Sequence, residues 1–495
     1  MIDAITNLFG EFTALAPMII IMAAALFAPG IQLVVKKRTV TWAFSLIMVL
    51  ISLAINVFML TSIGGADPYT GTALGMVEYN AYSGLMILLF QVVLALAILV
   101  SNASVETTRL HTGAYYALLM GATLGMMFVA TSTDLITIFV GVELTSISSY
   151  AAVSMKRGDS RSAEAAVKYV VIGGMSTALT LYGISMLYGL TGTTTIADLA
   201  VDDISLMYII ALICMIAGYG FKIAAVPFHM WAPDVYEGSA TPISMFLATG
   251  SKKMGLAVFF QIFLVMFVAA KACAGIEEVQ YIFAIIAAFT MTIGNVVAIA
   301  QNNIKRMLAY SSIAQAGYIL IVMAVMSEYA LSAGMFHMFT HVFMKGGAFL
   351  IVGGLICAGI GEKISDYRGL AKRAPFLAFA MMLFLFSLAG IPPLAGFTSK
   401  FFLFSGAIGT VDGVTSQWIW LALVAVLNSA ISLYYYARVV KAMYIEKGTS
   451  CEKVAIPRIF TLAIVICVLL VIVLGVFPGP LYELCENAAA VICHL

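Results

Sequence analysis

Charge is what this sequence has least of. Of 495 residues only 10% are Asp, Glu, Lys or Arg, against 63% apolar. An ordinary soluble protein is nearer a quarter charged and half apolar. A folded soluble surface needs polar cover, and no core of realistic size hides such an excess. A soluble multi-domain enzyme is therefore excluded, and an integral membrane protein is expected. The 25 basic and 24 acidic residues leave a net charge of +1, with no basic tract for nucleic acid and no acidic tail.

Cofactor motifs are missing as well. Cys214, Cys273, Cys357, Cys451, Cys467, Cys485 and Cys493 include no C-x-x-C pair, which argues against zinc and iron–sulfur frameworks, and their odd number argues against a disulfide scaffold. There is no P-loop signature and no G-x-G-x-x-G between a strand and a helix, so no bound nucleotide is expected. Asp3 and Glu11 stand where a cleaved signal peptide would be basic, so none is expected.

What is present is long apolar runs. A spanning helix needs about 20 apolar residues, and that ruler marks fourteen segments, near 13–35, 40–62, 79–100, 113–130, 134–155, 163–190, 205–235, 240–270, 279–300, 307–326, 331–357, 374–408, 417–444 and 458–478. Lys and Arg collect in cytoplasmic loops. The alternate loops 36–38, 101–112, 156–161, 301–306, 361–373 and 438–458 hold 18 basic residues, and the opposite set holds one, Lys271. That opposite set and the termini carry Asp67, Asp198, Asp202, Asp203, Glu277, Glu278, Glu328, Asp412, Glu483 and Glu486. A miscounted helix would scramble this asymmetry, so both termini are expected outside the cytoplasmic membrane.

Six lysines remain inside the segments: Lys168, Lys222, Lys252, Lys253, Lys345 and Lys400, joined by Glu143 in the fifth. Each ionised group at the bilayer centre costs about 2.5–3.5 kcal/mol. Seven unpaired ones would total on the order of 20 kcal/mol, more than a typical domain's net stability. They must be paired, hydrated or neutralised. Lys168, near the basic end of its segment, can snorkel and need be no more than structural. Lys252 and Lys253 point about 100° apart on a helix, so one can be functional and the other a packing charge. Glu143, Lys222, Lys345 and Lys400 lie too deep for snorkelling and read as functional. Glu143 has Ser146, Ser149 and Tyr150 at i+3, i+6 and i+7, a polar stripe facing protein or water.

Two of the lysines sit beside helix breakers. Lys222 lies between Gly220 and Pro227, and Lys400 follows Gly390, Pro392, Pro393 and Gly396. Proline removes a donor and clashes with the preceding turn, so each long segment should split into half-helices. Irregular backbone at membrane depth is tolerated where it is buried or lines a wet cavity, and a recurring broken helix points to a transporter with internal repeats. The breaks fall in the seventh and twelfth segments, five apart, so units 4–8 and 9–13 run in opposite senses. The expected fold is an all-α polytopic membrane protein of fourteen transmembrane helices, with two inverted five-helix repeats. The divisions are 1–110 (three helices), 111–271 and 272–445 (the repeats), and 446–495 (the last helix and tail).

In the eleventh segment His337, His341 and Lys345 fall at i, i+4 and i+8 and share one face. Imidazole titrates near neutrality, so the face reads as a proton relay. The competing reading, haem or metal ligation, needs facing histidines, and only His229, in the seventh segment, lies deep enough. Gly121 and Gly125 read as close helix packing.

These stretches resemble a known family. TLGMMFVATSTDLITIFVGVEL, SAEAAVKYVVIGGMSTALTLYGISMLYG, FKIAAVPFHMWAPDVYEGSATP, NNIKRMLAYSSIAQAGY, DYRGLAKRAPF, FSLAGIPPLAGFTSKF and SAISLYYYARVVKAMY are similar to the antiporter-like membrane subunits of respiratory complex I, most of all subunit N. The resemblance covers roughly 110–445. HMFTHVFMK departs from many bacterial members; it is more usual in sister subunits and multisubunit cation/proton antiporters, and resembles the subunit N of archaeal reduced-deazaflavin dehydrogenases. The resemblance implies that Glu143 matches the fifth-helix glutamate, Lys222 the seventh-helix lysine, Lys252 the eighth-helix lysine and Lys400 the twelfth-helix lysine, whereas Lys253 has no clear counterpart. It further implies proton translocation from Lys222 through Lys252 and the His337, His341 and Lys345 face to Lys400, without a cofactor in this chain. FMN or FAD and iron–sulfur clusters would belong to partner subunits, and the partners would be other antiporter-like and small membrane subunits. Two alternatives stay open, a subunit of a multisubunit Na⁺/H⁺ antiporter and a membrane anchor for haem or quinone.

Overall fold

The computed structural model describes residues 13–63, 71–73, 75–108, 110–156, 158–201, 205–269, 276–411, 414–415, 417–448 and 452–493. Asp3, Glu11, Asp67, Arg109, Arg157, Asp202, Asp203, Lys271, Cys273, Asp412 and Cys451 lie outside the described residues. The apolar runs fold as helices: α1 (Ala16–Val35), α2 (Arg38–Ile63), α3 (Ala81–Ser101), α4 (Thr112–Thr131), α5 (Leu135–Ser154), α6 (Ser160–Thr191), α7 (Leu206–Ile223) and α8 (Trp231–Gly238). They continue as α9 (241–269), α10 (Ile276–Ile299), α11 (304–325), α12 (Glu328–Cys357), α13 (Pro375–Ala389), α14 (Ala395–Ile408), α15 (Ile419–Tyr444), α16 (Arg458–Val476) and α17 (Gly479–Cys493). Two short antiparallel ribbons interrupt them, β1 (Gly71–Ala73) with β2 (Val77–Tyr79), and β3 (Thr410–Val411) with β4 (Val414–Thr415).

Helix ends follow local chemistry. Asn80 forms a reciprocal capping box with Ser83 at the start of α3, and Asp134 accepts from the Ile136 and Thr137 amides at the start of α5. Such side chains satisfy first-turn donors that have no intrahelical partner. Among the described residues thirteen helices are long and apolar enough to cross a membrane. The expected twelfth segment is instead two helices of 15 and 14 residues, α13 and α14, each too short alone.

Both expected breaks are present. α7 stops at Ala224, whose φ of 56° is left-handed; the Ala225 amide donates to Gly220 O and the Ala224 amide to Phe221 O. α13 stops at Gly390 with φ 95°, and here the Ile391 amide donates to Phe386 O and the Gly390 amide to Ser387 O. Both are Schellman caps, so the two half-helices end alike although one uses Ala where Gly is usual. The α7–α8 and α13–α14 corners then restart the helix.

Burial sorts the helices. α9 is enclosed along its length and α11 and α12 nearly so, while α1, α2 and α6 show mostly exposed apolar surface. Polar groups on α9, α11 and α12 therefore face protein rather than lipid. α9 also carries two π-helical stretches, Leu247–Ser251 and Phe260–Ala269. The tail after the last segment forms α17, which buries Cys485, Ala488, Ala489 and Ile492 against the bundle.

Of the expected small-residue pair, Gly125 is the tight one. A Cβ there would meet Gly141 O at 2.5 Å and Thr145 Oγ1 at 2.6 Å, whereas one at Gly121 would meet only Ser148 Oγ at 3.3 Å. Gly125→Val is expected to lower stability by about 1–3 kcal/mol by overpacking. A thermal midpoint in detergent equal to wild type would contradict this contact.

Candidate functional site

Lys222 occupies the last turn of α7 and is only 3% exposed. Its Nζ donates to Ser146 Oγ on α5 and to Tyr150 OH at 3.3 Å, and it lies 5.3 Å from the Tyr150 ring centroid. A cation is favoured at a helix C-terminus, where carbonyls are unpaired. Ser146 and Tyr150 of the α5 polar stripe thus meet the broken helix. The carboxylate does not: Glu143 is half-buried and accepts from Thr177 Oγ1 of α6 at 2.7 Å, and among the described residues no Glu143–Lys222 ion pair forms within 4.0 Å. The two are linked through α5, one turn apart, by Ser146.

Lys400, on α14, is bound directly at the second break. Its Nζ donates to Leu388 O at 2.8 Å and Ala389 O at 3.2 Å, the free carbonyls ending α13, and to Ser429 Oγ of α15 at 2.9 Å. It also lies 4.7 Å from the Tyr318 ring centroid. The end of α13 therefore presents its carbonyls to a lysine, the arrangement by which broken membrane helices hold cations, whereas Lys222 is carried by the last turn of α7 itself and bonds to hydroxyls of α5.

Between the two lie α9, α11 and α12. His337, His341 and Lys345 are each 0% exposed on α12. His337 shares hydrogen bonds with Ser399 Oγ at 2.8 Å and Gln315 Oε1 at 3.0 Å. Gln315 Nε2 in turn donates to Leu388 O at 3.1 Å, the oxygen that also accepts from Lys400. A hydrogen-bonded chain thus joins His337 to Lys400. Lys345 Nζ donates to Ser311 Oγ and to Leu308 O at 3.2 Å. His341, whose ring centroid is 6.3 Å from that of His337, has no partner at either ring nitrogen among the described residues. Lys252 Nζ and His229 Nδ1 are likewise buried without a partner, Lys252 lying 5.5 Å from the Tyr236 ring centroid. Lys253 is buried beside it. Buried polar groups are ordinarily hydrogen-bonded, so these groups stand out from the rest of the bundle. Both His337 ring nitrogens are engaged, whereas His341 and His229 keep unpartnered ring nitrogens among the described residues.

Lys168 stands apart. Its side chain is 41% exposed and pairs with Glu164 at 2.7 Å and Asp234 at 2.6 Å, an ion pair at the basic-loop end rather than a link in the chain. Asp234 also pairs with Arg306 at 2.7 Å, which reaches Glu237 at 2.9 Å. Beside them lies a group that loop membership concealed. Lys305 is wholly buried, 2.8 Å from Glu362 and 3.4 Å from Glu106. Glu106 accepts from the Thr241 amide at 2.8 Å, at the start of α9. Burial pushes the Glu106 carboxyl up, but Lys305, the Thr241 hydrogen bonds and Lys156 outweigh it and hold the group below the usual carboxylate range.

Polar uncharged partners were missed by reading for charge. Ser311, Gln315 and Tyr318 recur at i, i+4 and i+7 on α11, a helical stripe that the same periodicity argument would have found.

Fold and site define a polytopic membrane protein whose buried lysines sit at the ends of two broken helices. Residues 132–432 match the family described as NADH:quinone oxidoreductase/Mrp antiporter, transmembrane, and the chain belongs to that family. It is 45% identical over 417 residues to the F(420)H(2) dehydrogenase subunit N of Methanosarcina mazei, covering 81% of this chain and 82% of that one. To the NADH-quinone oxidoreductase subunit N of Desulfitobacterium hafniense it is 37% identical over 490 residues, covering 95% and 96%. A chain of respiratory complex I from Thermus thermophilus superposes with a TM-score of 0.77 at 28% identity, covering 94% of this chain and 98% of that one.

Proposed function

We propose that this chain is the proton-translocating membrane subunit of a complex I-like dehydrogenase, moving H⁺ outward while electron transfer takes place in other subunits. The observation that carries the reading is the chain His337–Gln315–Leu388 O–Lys400, buried in mid-bundle and continued by partnerless His341 and Lys252. A bundle with only a structural use for these charges would pair them. A carboxylate near an ammonium stabilises the protonated form. Glu143 held by Thr177 is the disengaged arm of such a switch; swung toward Ser146 it would load Lys222, and withdrawn it would release a proton toward Lys252. The proton then passes by water and the His337, His341 and Lys345 face to Lys400.

On this reading α13 and α14 together make a fourteenth span, residues 111–271 and 272–445 are inverted repeats, the basic loops face the cytoplasm and both termini lie outside. The chain itself holds no redox centre. FMN or FAD and iron–sulfur clusters belong to partner subunits, alongside further antiporter-like and small membrane subunits.

Glu143→Gln removes the charge and keeps the shape. In vesicles holding the assembled complex, proton pumping per electron is expected to fall about ten-fold or more, toward the roughly hundred-fold contribution at the lower end for a positioned proton-transfer group. Unchanged pumping would refute the switch. A second reading follows from the family, which includes Mrp antiporters: the same lysines driven by ion gradients alone. Mass spectrometry of the gently solubilised assembly separates the two, because only the dehydrogenase brings iron–sulfur subunits.

A further inference from the structure

A cavity of about 230 Å³ opens at the end of the bundle opposite the basic loops, where β2, the α4–α5 turn and the far part of α9 meet. Its walls include Glu78, Tyr82, Ser132, Thr133, Gln261 and Ile492 of α17. Nothing in the Glu143-to-Lys400 path uses it. Gln261 is unusual among its residues, an amide in a membrane-spanning helix and only 7% exposed. Its Nε2 donates to the Ser132 carbonyl, which fixes the amide, while its Oε1 is buried with no protein partner. An unsatisfied buried acceptor costs about 1–3 kcal/mol, and water in the cavity would remove that penalty.

One wall residue ties the cavity to the lysine-bearing helix α9. Tyr82 OH donates to Ala257 O at 3.2 Å. Ala257 lies one helical turn after Lys253 and one turn before Gln261 on α9. A hydroxyl in the cavity wall therefore bonds to the backbone midway between a buried lysine and the orphan amide. Gln261 stands in the π-helical stretch Phe260–Ala269, and π-bulges within α-helices are frequent at functional sites. Glu78, half-buried, marks the mouth and accepts from Asn80 Nδ2 at 3.3 Å.

We propose that this cavity is an outward proton exit of the first five-helix repeat, separate from the one at Lys400, with Tyr82 and Gln261 positioning the water between Lys253 and Glu78. The proposal rests on the proton-translocating reading above. A proton leaves the Lys253 ammonium onto water held at Tyr82 OH and Ala257 O. One proton leaves the same water file at Glu78 for bulk solvent, and neutral Lys253 is reloaded through Lys222. No group is altered over a cycle.

Two readouts test it in the assembled complex. Gln261→Cys should be modified by a membrane-impermeant thiol reagent applied from the cavity side, with the labelled peptide identified by mass spectrometry; Thr133→Cys repeats the measurement should the first variant fail to assemble. In vesicles, Gln261→Leu and Tyr82→Phe should each lower protons pumped per electron by the share this exit carries, at most half of what this chain contributes if the two exits are equal. In a Lys400→Ala background they should remove what this chain still contributes, leaving only the pumping of the other antiporter-like subunits. Absence of labelling at both cysteines, or an unchanged ratio in that background, overturns the exit. If Lys222→Ala also pumps normally, the function itself has failed; if Lys222→Ala is silent while Gln261→Leu is unaffected, only the exit has.

Discussion

Lys222→Ala, placed in vesicles with the otherwise complete assembly, is expected to cut donor-driven proton pumping roughly ten-fold or more, as loss of a positioned proton-transfer group does. Lys222 is the group that both Ser146 and Tyr150 address and that terminates the first half-helix. Alanine leaves those partners and the negative helix end uncompensated, so weakened assembly is a competing cause of any loss. Lys222→Arg separates the two. Guanidinium keeps the charge at the helix end but stays protonated at any working pH, so it can occupy the site and cannot unload. The arginine variant should assemble with near-wild-type yield and electron transfer while pumping falls as in the alanine variant. An arginine variant that pumps normally would show that Lys222 acts only as a fixed charge, and an assembled alanine variant that pumps normally would refute the path altogether.

The placement of charges made much of this legible in advance. A lysine inside a run of Leu, Ile and Phe is conspicuous because its insertion penalty is large, and Gly or Pro beside it marks the break that shelters it. That is why Lys222 and Lys400 could be read with their half-helices. The spacing of His337, His341 and Lys345 placed them on one enclosed face for the same reason. Hydrogen-bond partners were less visible. Gln315, Ser399 and Ser311 are neutral, cost little in a segment average, and gain meaning only when α11, α12 and α14 are packed together. Charge alone does not show how Glu143 and Lys222 relate; the geometry interposes Ser146 and gives the carboxylate to Thr177. The π-helical turns of α9 leave no sequence mark, and α17, at 15 residues, falls below the length that flags a span.

Lys305 is the clearest case of tertiary burial overriding sequence position, and it carries the second large effect. It stands in the 301–306 loop stretch, where basic residues normally meet water, yet it is 0% exposed between Glu106 and Glu362. Its Nζ also donates to Ser239 O at 3.4 Å, just after α8, while Glu106 holds the first amide of α9. One buried cation thus fastens the corner from which the helix bearing Lys252 and Lys253 departs. Removing one partner of a buried ion pair leaves the other charge uncompensated, and Lys305→Met is expected to destabilise the subunit by about 3–5 kcal/mol, read as a lowered thermal midpoint of the assembled complex. The pH dependence should change sign. In the wild type the Glu106 carboxyl lies below its usual range, so its contribution is present above the unfolded value and is lost as pH falls through the folded one. Without Lys305 only the Thr241 hydrogen bonds and the more distant Lys156 oppose burial, the largest influence, so the folded value is expected to rise above the unfolded one and stability to decline as pH rises. Mild acid should therefore rescue Lys305→Met, and Glu106→Gln in the same chain should abolish that rescue by removing the titrating group. A midpoint for Lys305→Met that falls in parallel with wild type on acidification would show that Glu106 is not the charge left stranded.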